Sequence, residues 1–424
     1  MSCAFCLPAP KERERLPMSL LSTTYGLLLV ITVGLSALTP LRLRGLLLTL
    51  LSLLFYAWGS LPHAALIVLL GSLVFLIGER LHKTRSPALF ASGVLLCVAV
   101  LCGFKYSVFF LQTVAGLWPA KDTATKLSQY AQSLLLTLQI PLGISFFTFE
   151  FVHYLTDIYQ GKITRPHPLP ALGKRLFDFF LFALFFPTLL AGPIKRYQQF
   201  SPSEAPLSAR KEELAEGLWR ILIGLMKKVL IADSLATITL RLKAPELVTP
   251  PGLWLAMYAY AAQIYADFSG YSDVAIGVSL LLGYRIPENF RSPYAARSLQ
   301  DFWRRWHISL SSWIRDYLFI PLGGSHVPPA RAMVNLLFVM ALCGLWHGAA
   351  GHFVVWGLWH GAGLGIEQLA RRLRGPKEGN HGKLFALLGW LWTFHFVCVG
   401  WILFAAPSLK AALTALGRML WLVR

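Results

Sequence analysis

The stretch LFALLGWLWTFHFVCVGWILF, residues 384–404, runs for 21 residues without Asp, Glu, Lys or Arg. A helix needs about 20 mainly apolar residues to cross the hydrocarbon core of a bilayer. Further apolar runs lie at Leu20–Leu38, Gly45–Trp58, Ala64–Gly78, Leu89–Gly103, Phe177–Ala191, Leu214–Ile231 and Met333–Leu345. Because an open sheet leaves backbone groups unpaired in lipid, these runs predict an all-α polytopic membrane protein. At about 20 residues per crossing, we expect about 10–12 membrane segments, with re-entrant or interfacial helices among them.

The overall composition agrees with this class. Hydrophobic residues make up 56% of the chain and charged residues only 14%, whereas a soluble domain carries about 25% charged residues. The net charge of +19 would suggest a nucleic-acid partner in a soluble protein. In a membrane protein, basic residues collect at helix ends, near anionic headgroups and the cytoplasm. No nucleic-acid module is present, so we expect membrane lipid and no nucleic acid as a partner. An anionic thioester donor could also use these cations.

The polar connections are too short to hold a soluble domain. The longest lie at Ala120–Gln129, Gly161–Pro170, Arg196–Glu213 and Arg371–Lys383. We therefore expect one integral membrane domain over residues 18–424, preceded by a tail of residues 1–17. Met18 directly precedes the first apolar run, so it is a candidate for the native start. N-terminal sequencing of natively expressed protein tests that idea, and recovery of Met1 or Ser2 would reject it.

The six cysteines give little sign of a metal or redox site. Cys3 and Cys6 form a lone CxxC with no second pair, which is a weak signal. The other four lie in apolar segments, where cysteine behaves as a small core residue: Cys97, Cys102, Cys343 and Cys398. We expect no metal.

Two histidines occupy unusually apolar surroundings. His307 lies in DFWRRWHISLS, residues 301–311, and His347 lies in GLWHG, residues 344–348. Ionisable residues at membrane depth are functional candidates by default. On one continuous helix, a single face would carry Phe302, Trp306, Ser309, Trp313 and Asp316. Such a helix could anchor at the interface with its histidine toward headgroups, or it could form the wall of a polar cavity; both readings stay open.

The glycines around His347 suit a break in a helix, because glycine tolerates conformations that other residues avoid. A neutral imidazole near a thioester can accept the proton of an attacking hydroxyl. The alternative is a packing histidine that is hydrogen-bonded to a backbone carbonyl. We assign His360 and His395 to that packing type.

A third polar zone lies at residues 263–283. Asp267 and Asp273 flank Gly270 within an apolar segment, which predicts a broken or re-entrant helix. A transporter or flippase could use these carboxylates with the two histidines as a proton or substrate path. The absence of a sustained internal repeat counts mildly against a transporter. No GxSxG, HExxH or phosphate-loop motif is present.

The chain resembles the membrane-bound O-acyltransferase family, in its bacterial alginate O-acetyltransferase-like branch. The segments that carry the resemblance are Pro141–Phe149, Ala191–Tyr197, Asp267–Asp273, Pro287–Phe290, Asp301–Gly324, Gly344–Gly348 and Trp356–Gly361. The resemblance implies helices around a central funnel in the bacterial inner membrane. It also implies that His347 is catalytic and that His307 supports it. Plausible pocket residues are Asp301, Trp306, Asp316, Tyr317 and Trp346.

By this resemblance, the donor substrate is acetyl-CoA or another cytoplasmic acyl thioester, with no permanently bound cofactor. The acyl group would cross the membrane and modify an extracytoplasmic polysaccharide such as alginate, with a separate extracytoplasmic acyltransferase as partner. A sister branch that moves D-alanine to a cell-envelope polymer is an alternative. A scaffold that only recruits a soluble transferase is a weaker one, and it would tolerate substitution of both histidines.

Overall fold

The computed structural model describes residues 23–117, 121–137, 139–164, 170–189, 192–200, 210–374 and 383–422. Within these ranges the chain forms helices and no strand, so the predicted all-α class is confirmed. The N-terminal tail, the Cys3–Cys6 pair and Met18 lie outside the described residues. The number of membrane segments, the central funnel and the single-domain assignment of residues 18–424 stay predictions.

Five helices of the described residues are long and apolar enough to cross a membrane. They are Leu41–Gly59, Leu61–Thr84, Pro87–Lys105, Pro329–His347 and Lys383–Ala405. The cysteines on these helices mostly face inward, as predicted, since three are buried; Cys102 is exposed instead.

The chain divides into two compact units. Among the described residues, the first unit comprises those within 23–218 and 275–286, and the second comprises those within 219–274 and 287–422. The helices up to residue 200 are α1 (Thr23–Leu38), α2 (Leu41–Gly59), α3 (Leu61–Thr84), α4 (Pro87–Lys105), α5 (Ser107–Leu117), α6 (Lys121–Thr137), α7 (Ile144–Tyr159), α8 (Leu172–Leu184) and α9 (Phe186–Leu189). The later helices are α10 (Lys211–Met226), α11 (Asp233–Thr239), α12 (Pro250–Leu282), α13 (Leu299–Arg305), α14 (Ile308–Ile314), α15 (Pro329–His347), α16 (Gly351–Arg374), α17 (Lys383–Ala405) and α18 (Leu409–Met419).

The core of the first unit is aromatic and contains one buried ion pair. The rings of Phe151 and Phe179 stack at 5.7 Å between centroids. Beside them, Lys195 Nζ lies 2.7 Å from Glu150 Oε1 and donates to Thr188 Oγ1, also at 2.7 Å. This contact fixes the segment after α9 against α7, because a buried charge is tolerated only when it is paired.

In the second unit, α15 and α16 form an antiparallel hairpin with backbone contact. A Cβ atom added to Gly344 would lie 2.0 Å from the carbonyl oxygen of Phe353, and one added to Gly357 would lie 2.0 Å from that of Met340. Small residues allow such close approach of membrane helices. These two glycines therefore fix the separation of the helices that carry His347 and Trp356.

Two expectations about local structure were wrong. The predicted connection Ala120–Gln129 is mostly the start of α6, Lys121–Thr137, since a polar amphipathic helix lacks the long apolar run that marks a span. The predicted break at residues 263–283 is absent, because α12 is continuous from Pro250 to Leu282. Gly270 serves packing instead: a Cβ atom there would lie 2.7 Å from the carbonyl oxygen of Gly224.

The described part of the apolar run Phe177–Ala191 is divided between two helices. Helix α8 ends at Leu184, Phe185 leaves the helical conformation, and Pro187 lies in the short helix α9. Proline removes a backbone donor and so favours the interruption of a helix near its position.

Candidate active site

His307 lies at a break in the chain, not on a continuous helix. Helix α13 begins after Ser298, whose Oγ accepts a hydrogen bond from the backbone N–H of Asp301 at 3.1 Å, and it ends at Arg305. His307 then adopts a left-handed conformation, with φ of 42° and ψ of 55°, directly before α14. That conformation costs a non-glycine residue about 1–2 kcal/mol. The single helical face predicted from Phe302 to Asp316 is therefore wrong.

Asn289 holds this break in place. Its backbone carbonyl accepts from the N–H of Ile308 at 2.9 Å, and its side-chain Oδ1 accepts from Ser309 Oγ at 2.6 Å. The side-chain Nδ2 of Asn289 donates to Ser272 Oγ at 3.1 Å. Strain of this kind persists where the surrounding contacts over-determine it, and such places cluster at functional sites.

The side-chain amide of Asn289 also identifies the tautomer of His307. Asn289 Oδ1 lies 3.3 Å from His307 Nδ1, and an amide oxygen can only accept, so Nδ1 carries the proton. His307 Nε2 is then the lone-pair nitrogen, and within the described ranges this buried atom has no hydrogen-bond partner. His307 lies outside the five helices of spanning length, and burial lowers its pKa well below the usual value. The ring is therefore neutral at pH 7.

His347 is the last residue of α15, and α16 begins at Gly351, so the break predicted from the surrounding glycines is confirmed. The imidazole packs between three rings, with centroid distances of 4.7 Å to Trp346, 5.1 Å to Trp356 and 5.1 Å to Phe404. The C-terminal end of a helix carries a partial negative charge that favours a nearby cation. A protonated His347 would gain that stabilisation from α15.

The two histidines line one small cavity of about 10 Å³ in the second unit. Its walls comprise Ile264, Phe268, Trp306, His307, His347, Trp356, Trp401 and Phe404. A cavity of this size is at the lower limit for one water molecule, so it matches a group as small as a hydroxyl. A lone-pair nitrogen, a second imidazole and an otherwise apolar wall are suited to proton transfer at a single oxygen atom.

The predicted pocket residues are only partly brought to this cavity. Trp306 lines it, and the Trp346 ring lies 6.4 Å from that of His307. Asp301 instead forms a salt bridge with Arg305 at 2.8 Å, and Asp316 forms one with Arg315 at 2.7 Å. Tyr317 packs on Trp313, with 5.3 Å between ring centroids. Asp301, Asp316 and Tyr317 are not among the lining residues, and the catalytic roles of the whole set stay predictions.

His395 and His360 differ in their hydrogen bonds. His395 is the expected packing type: its Nδ1 lies 2.8 Å from the carbonyl oxygen of Leu391, and its Nε2 lies 3.0 Å from Tyr258 Oη. The carbonyl bond expected for His360 was wrong, since neither ring nitrogen has a partner within the described ranges. His360 is fully buried, with its ring 5.1 Å from that of Trp356.

Sequence reasoning missed several residues of the site. Asn289 and Phe268 lie in segments that carry the family resemblance, so the polar or aromatic character of those segments was an available signal. Trp356 begins the segment Trp356–Gly361 and could have been found in the same way. No sequence pattern pointed to Trp401 or Phe404, which reach the cavity only through the packing of α17.

The two carboxylates of α12 are paired. Asp267 lies 2.9 Å from Lys228 Nζ, and Asp273 lies 2.6 Å from both Arg220 Nη1 and Lys227 Nζ. These ion pairs explain why two carboxylates lie in an apolar helix, and no transported substrate or proton is needed to explain them.

Comparison with known proteins decides the family. The sequence model of MBOAT, the membrane-bound O-acyltransferase family, matches residues 105–406. The chain belongs to this family. It is therefore a multi-pass membrane protein and an O-acyltransferase, as its apolar helices and its family resemblance predicted.

The names of similar proteins refer to three different polymers. The chain is 39% identical over 391 residues to a probable alginate O-acetylase of Azotobacter vinelandii, which covers 91% of the chain and 74% of that protein. It is 35% identical over 402 residues to the peptidoglycan O-acetyltransferase of Helicobacter pylori, covering 88% of the chain and 73% of that protein. It is 33% identical over 280 residues to the teichoic acid D-alanyltransferase of Bacillus subtilis, covering 62% and 68%.

Proposed function

We propose that this O-acyltransferase takes an acetyl group from a cytoplasmic thioester, acetyl-CoA or another carrier, for O-acetylation of an extracytoplasmic polysaccharide. The acetyl group would reach the polymer through a separate extracytoplasmic acyltransferase, at the bacterial inner membrane. The observation that carries this proposal is the single small cavity shared by His307 and His347. The acetylating relatives support the choice of acyl group.

The reaction balances without an added proton donor. The acceptor oxygen attacks the thioester carbonyl carbon, the new C–O bond forms, and the C–S bond breaks. The hydroxyl proton passes to His347 and then to the departing thiolate, so the base returns to its neutral form. The position of His347 at the end of α15 supports this role, because the helix dipole stabilises the imidazolium that forms.

The tautomer of His307 favours one of its two predicted roles. The lone pair on Nε2 can accept the hydrogen bond of the bound acceptor hydroxyl and so hold its oxygen in the cavity. Because a hydroxyl has only one proton, that proton turns from Nε2 to His347 as the oxygen attacks the thioester. Stabilising a developing negative charge would instead require a donor at that atom. We therefore propose that His307 positions the acceptor and that His347 removes its proton.

Two alternative functions have less support than acetyl transfer. D-alanyl transfer is favoured by the Bacillus subtilis relative, but that match covers 62% of the chain against 91% for the alginate acetylase. A transporter would need carboxylates free to exchange protons or substrate. The ion pairs of Asp267 and Asp273 argue against that use.

The deciding experiment replaces His347 with Gln in full-length protein and follows acyl transfer from labelled acetyl-CoA in membrane vesicles. We expect a loss of about 10²–10⁴ in rate, the usual contribution of a general base. His395→Gln is the matched control, because His395 is half-buried, does not line the histidine cavity and is bonded to Tyr258 and Leu391, and it should retain activity. Near-normal transfer by His347→Gln would reject the proposed base. Substrate-dependent proton flux without acyl transfer would favour a transporter.

A further inference from the structure

A second, larger cavity lies at the opposite end of the α15–α16 hairpin from His347. It has a volume of about 290 Å³ and is lined by Pro329, Ala330, Ala332, Met333, Gly365, Gln368, Leu369 and Arg372. Helix α15 has 19 residues between Pro329 and His347, which corresponds to about 27 Å at 1.5 Å per residue. The cavity is therefore separate from the one that holds the two histidines.

The cavity forms where the contact between α15 and α16 changes from backbone atoms to side chains. Near His347 the two helices touch backbone to backbone through glycine. At Gly365 a Cβ atom would instead lie 2.1 Å from Met333 Sδ, so a side chain fills the gap between the helices. Methionine is flexible and adapts to irregular apolar surfaces. The resulting wall is apolar and consists mainly of small or flexible side chains.

The positively charged side chain of Arg372 lies at the edge of this wall. The guanidinium of Arg372 donates to the backbone carbonyl of Val327 at 3.3 Å and to that of Ser325. A guanidinium has five N–H donors, so donor capacity remains after these bonds. Within the described ranges Arg372 has no acidic partner, and Gln368 lies one turn earlier on α16.

The side chains beside the cavity are apolar and exposed. On α16, Ile366 is 62% exposed and Leu373 is 79% exposed; on α15, Val334 is 62% exposed. In a multi-pass membrane protein such surfaces face acyl chains. Arg331 and Arg371 lie at the same end of the hairpin, and basic residues at helix ends favour the cytoplasmic leaflet, which carries anionic lipid.

We propose that this cavity binds one anionic phospholipid. An acyl chain would lie against Met333 and Leu369, and the phosphate would accept hydrogen bonds from Arg372. A single guanidinium and a wall with no aromatic residue among the eight that line it suit a lipid with one phosphate. A nucleotide thioester carries several phosphates and a base, so it would need more cations and a ring to stack on.

Native mass spectrometry of the full-length protein in neutral detergent tests the proposal, with phosphatidylglycerol and phosphatidylcholine titrated separately. We expect tighter binding of phosphatidylglycerol, and about fivefold weaker binding in Arg372→Gln, the effect of about 1 kcal/mol per basic residue. Ala330→Trp fills the cavity from an exposed lining position and should weaken binding of both lipids. Arg331→Gln removes the same charge from a residue that does not line the cavity, and it should bind like the wild type.

Several outcomes would overturn the proposal. Equal weakening by Arg331→Gln and Arg372→Gln would mean a general electrostatic attraction. Unchanged binding in Ala330→Trp would place the lipid elsewhere. Displacement of the lipid by inorganic phosphate or by CoA, dependent on Arg372, would assign the cavity to a soluble phosphate or to the acyl donor. Helix content and melting temperature of each variant show whether it is folded.

Discussion

The substitution Asn289→Asp tests the role of His307 with almost no change in volume. Asn289 Oδ1 faces His307 Nδ1 at 3.3 Å, and both residues are buried. A carboxylate buried there without a charged partner takes up a proton, either itself or through His307. If the carboxyl holds the proton on the oxygen that faces His307, it donates to Nδ1 and moves the ring proton to Nε2. If His307 holds it, both ring nitrogens carry protons.

Either state converts His307 Nε2 from an acceptor into a donor. The acceptor hydroxyl can then no longer donate to Nε2 and would have to turn and accept from the ring N–H, so the hydrogen bond that orients it in the wild type is lost. Loss of one buried partner costs about 1–3 kcal/mol, which corresponds to about 5- to 150-fold in rate. Ser309 Oγ still donates to the carboxyl, and the Ser272 hydroxyl can rotate to donate as well. We therefore expect a modest change in stability beside the loss of rate.

The assay is single-turnover transfer from labelled acetyl-CoA in vesicles, with the melting temperature measured on the same preparation. Asn335→Asp is the control for a buried carboxyl, since Asn335 Nδ2 donates to the carbonyl of Leu322 at 2.9 Å and does not line the histidine cavity. An unchanged or faster transfer step in Asn289→Asp would refute the acceptor role of Nε2. It would support stabilisation of negative charge by His307 instead.

Three further outcomes follow from the packing and the ion pairs. Gly357→Ala places a Cβ 2.0 Å from the Met340 carbonyl oxygen and should lower the melting temperature sharply, whereas Gly351→Ala, with nothing within 4 Å, should not. Lys195→Met leaves Glu150 buried without its partner and should cost roughly 3–5 kcal/mol of unfolding free energy, partly restored by adding Glu150→Gln. Hydrogen bonds from Arg210 and Arg285 lower the pKa of Glu213, so its carboxylate stabilises the fold above the ordinary carboxyl pKa. That contribution is lost as the pH falls through the lowered value; the melting temperature of Glu213→Gln should therefore be below wild type at pH 7 and equal to it in acid.

The sequence predicted the helical class well because length and apolarity alone decide which segments suit lipid. It failed at Lys121–Thr137, where helix formation depends on amphipathic packing. It failed again at Gly270, because a glycine that permits a break and a glycine that permits close packing look alike in one sequence. Only the neighbouring Gly224 distinguishes them.

The histidines themselves were recognisable because lipid makes ionisable side chains rare. Their partners were not, since the contact between Asn289 and His307 depends on a left-handed residue that no spacing predicts. Asp301 and Asp316 were expected in the pocket because they are polar and near His307 in sequence. Both instead pair with a neighbouring arginine, which is the less costly arrangement for a carboxylate.

The glycine contacts of the α15–α16 hairpin have a consequence for how this fold can diversify. Because main-chain atoms rather than side chains set the spacing of these helices, the place of His347 does not depend on which apolar residues surround it. Side chains around the small cavity can then be exchanged without displacing His347. Under the proposed function, this geometry would let one reaction centre serve different acceptors through changes in the surrounding side chains alone.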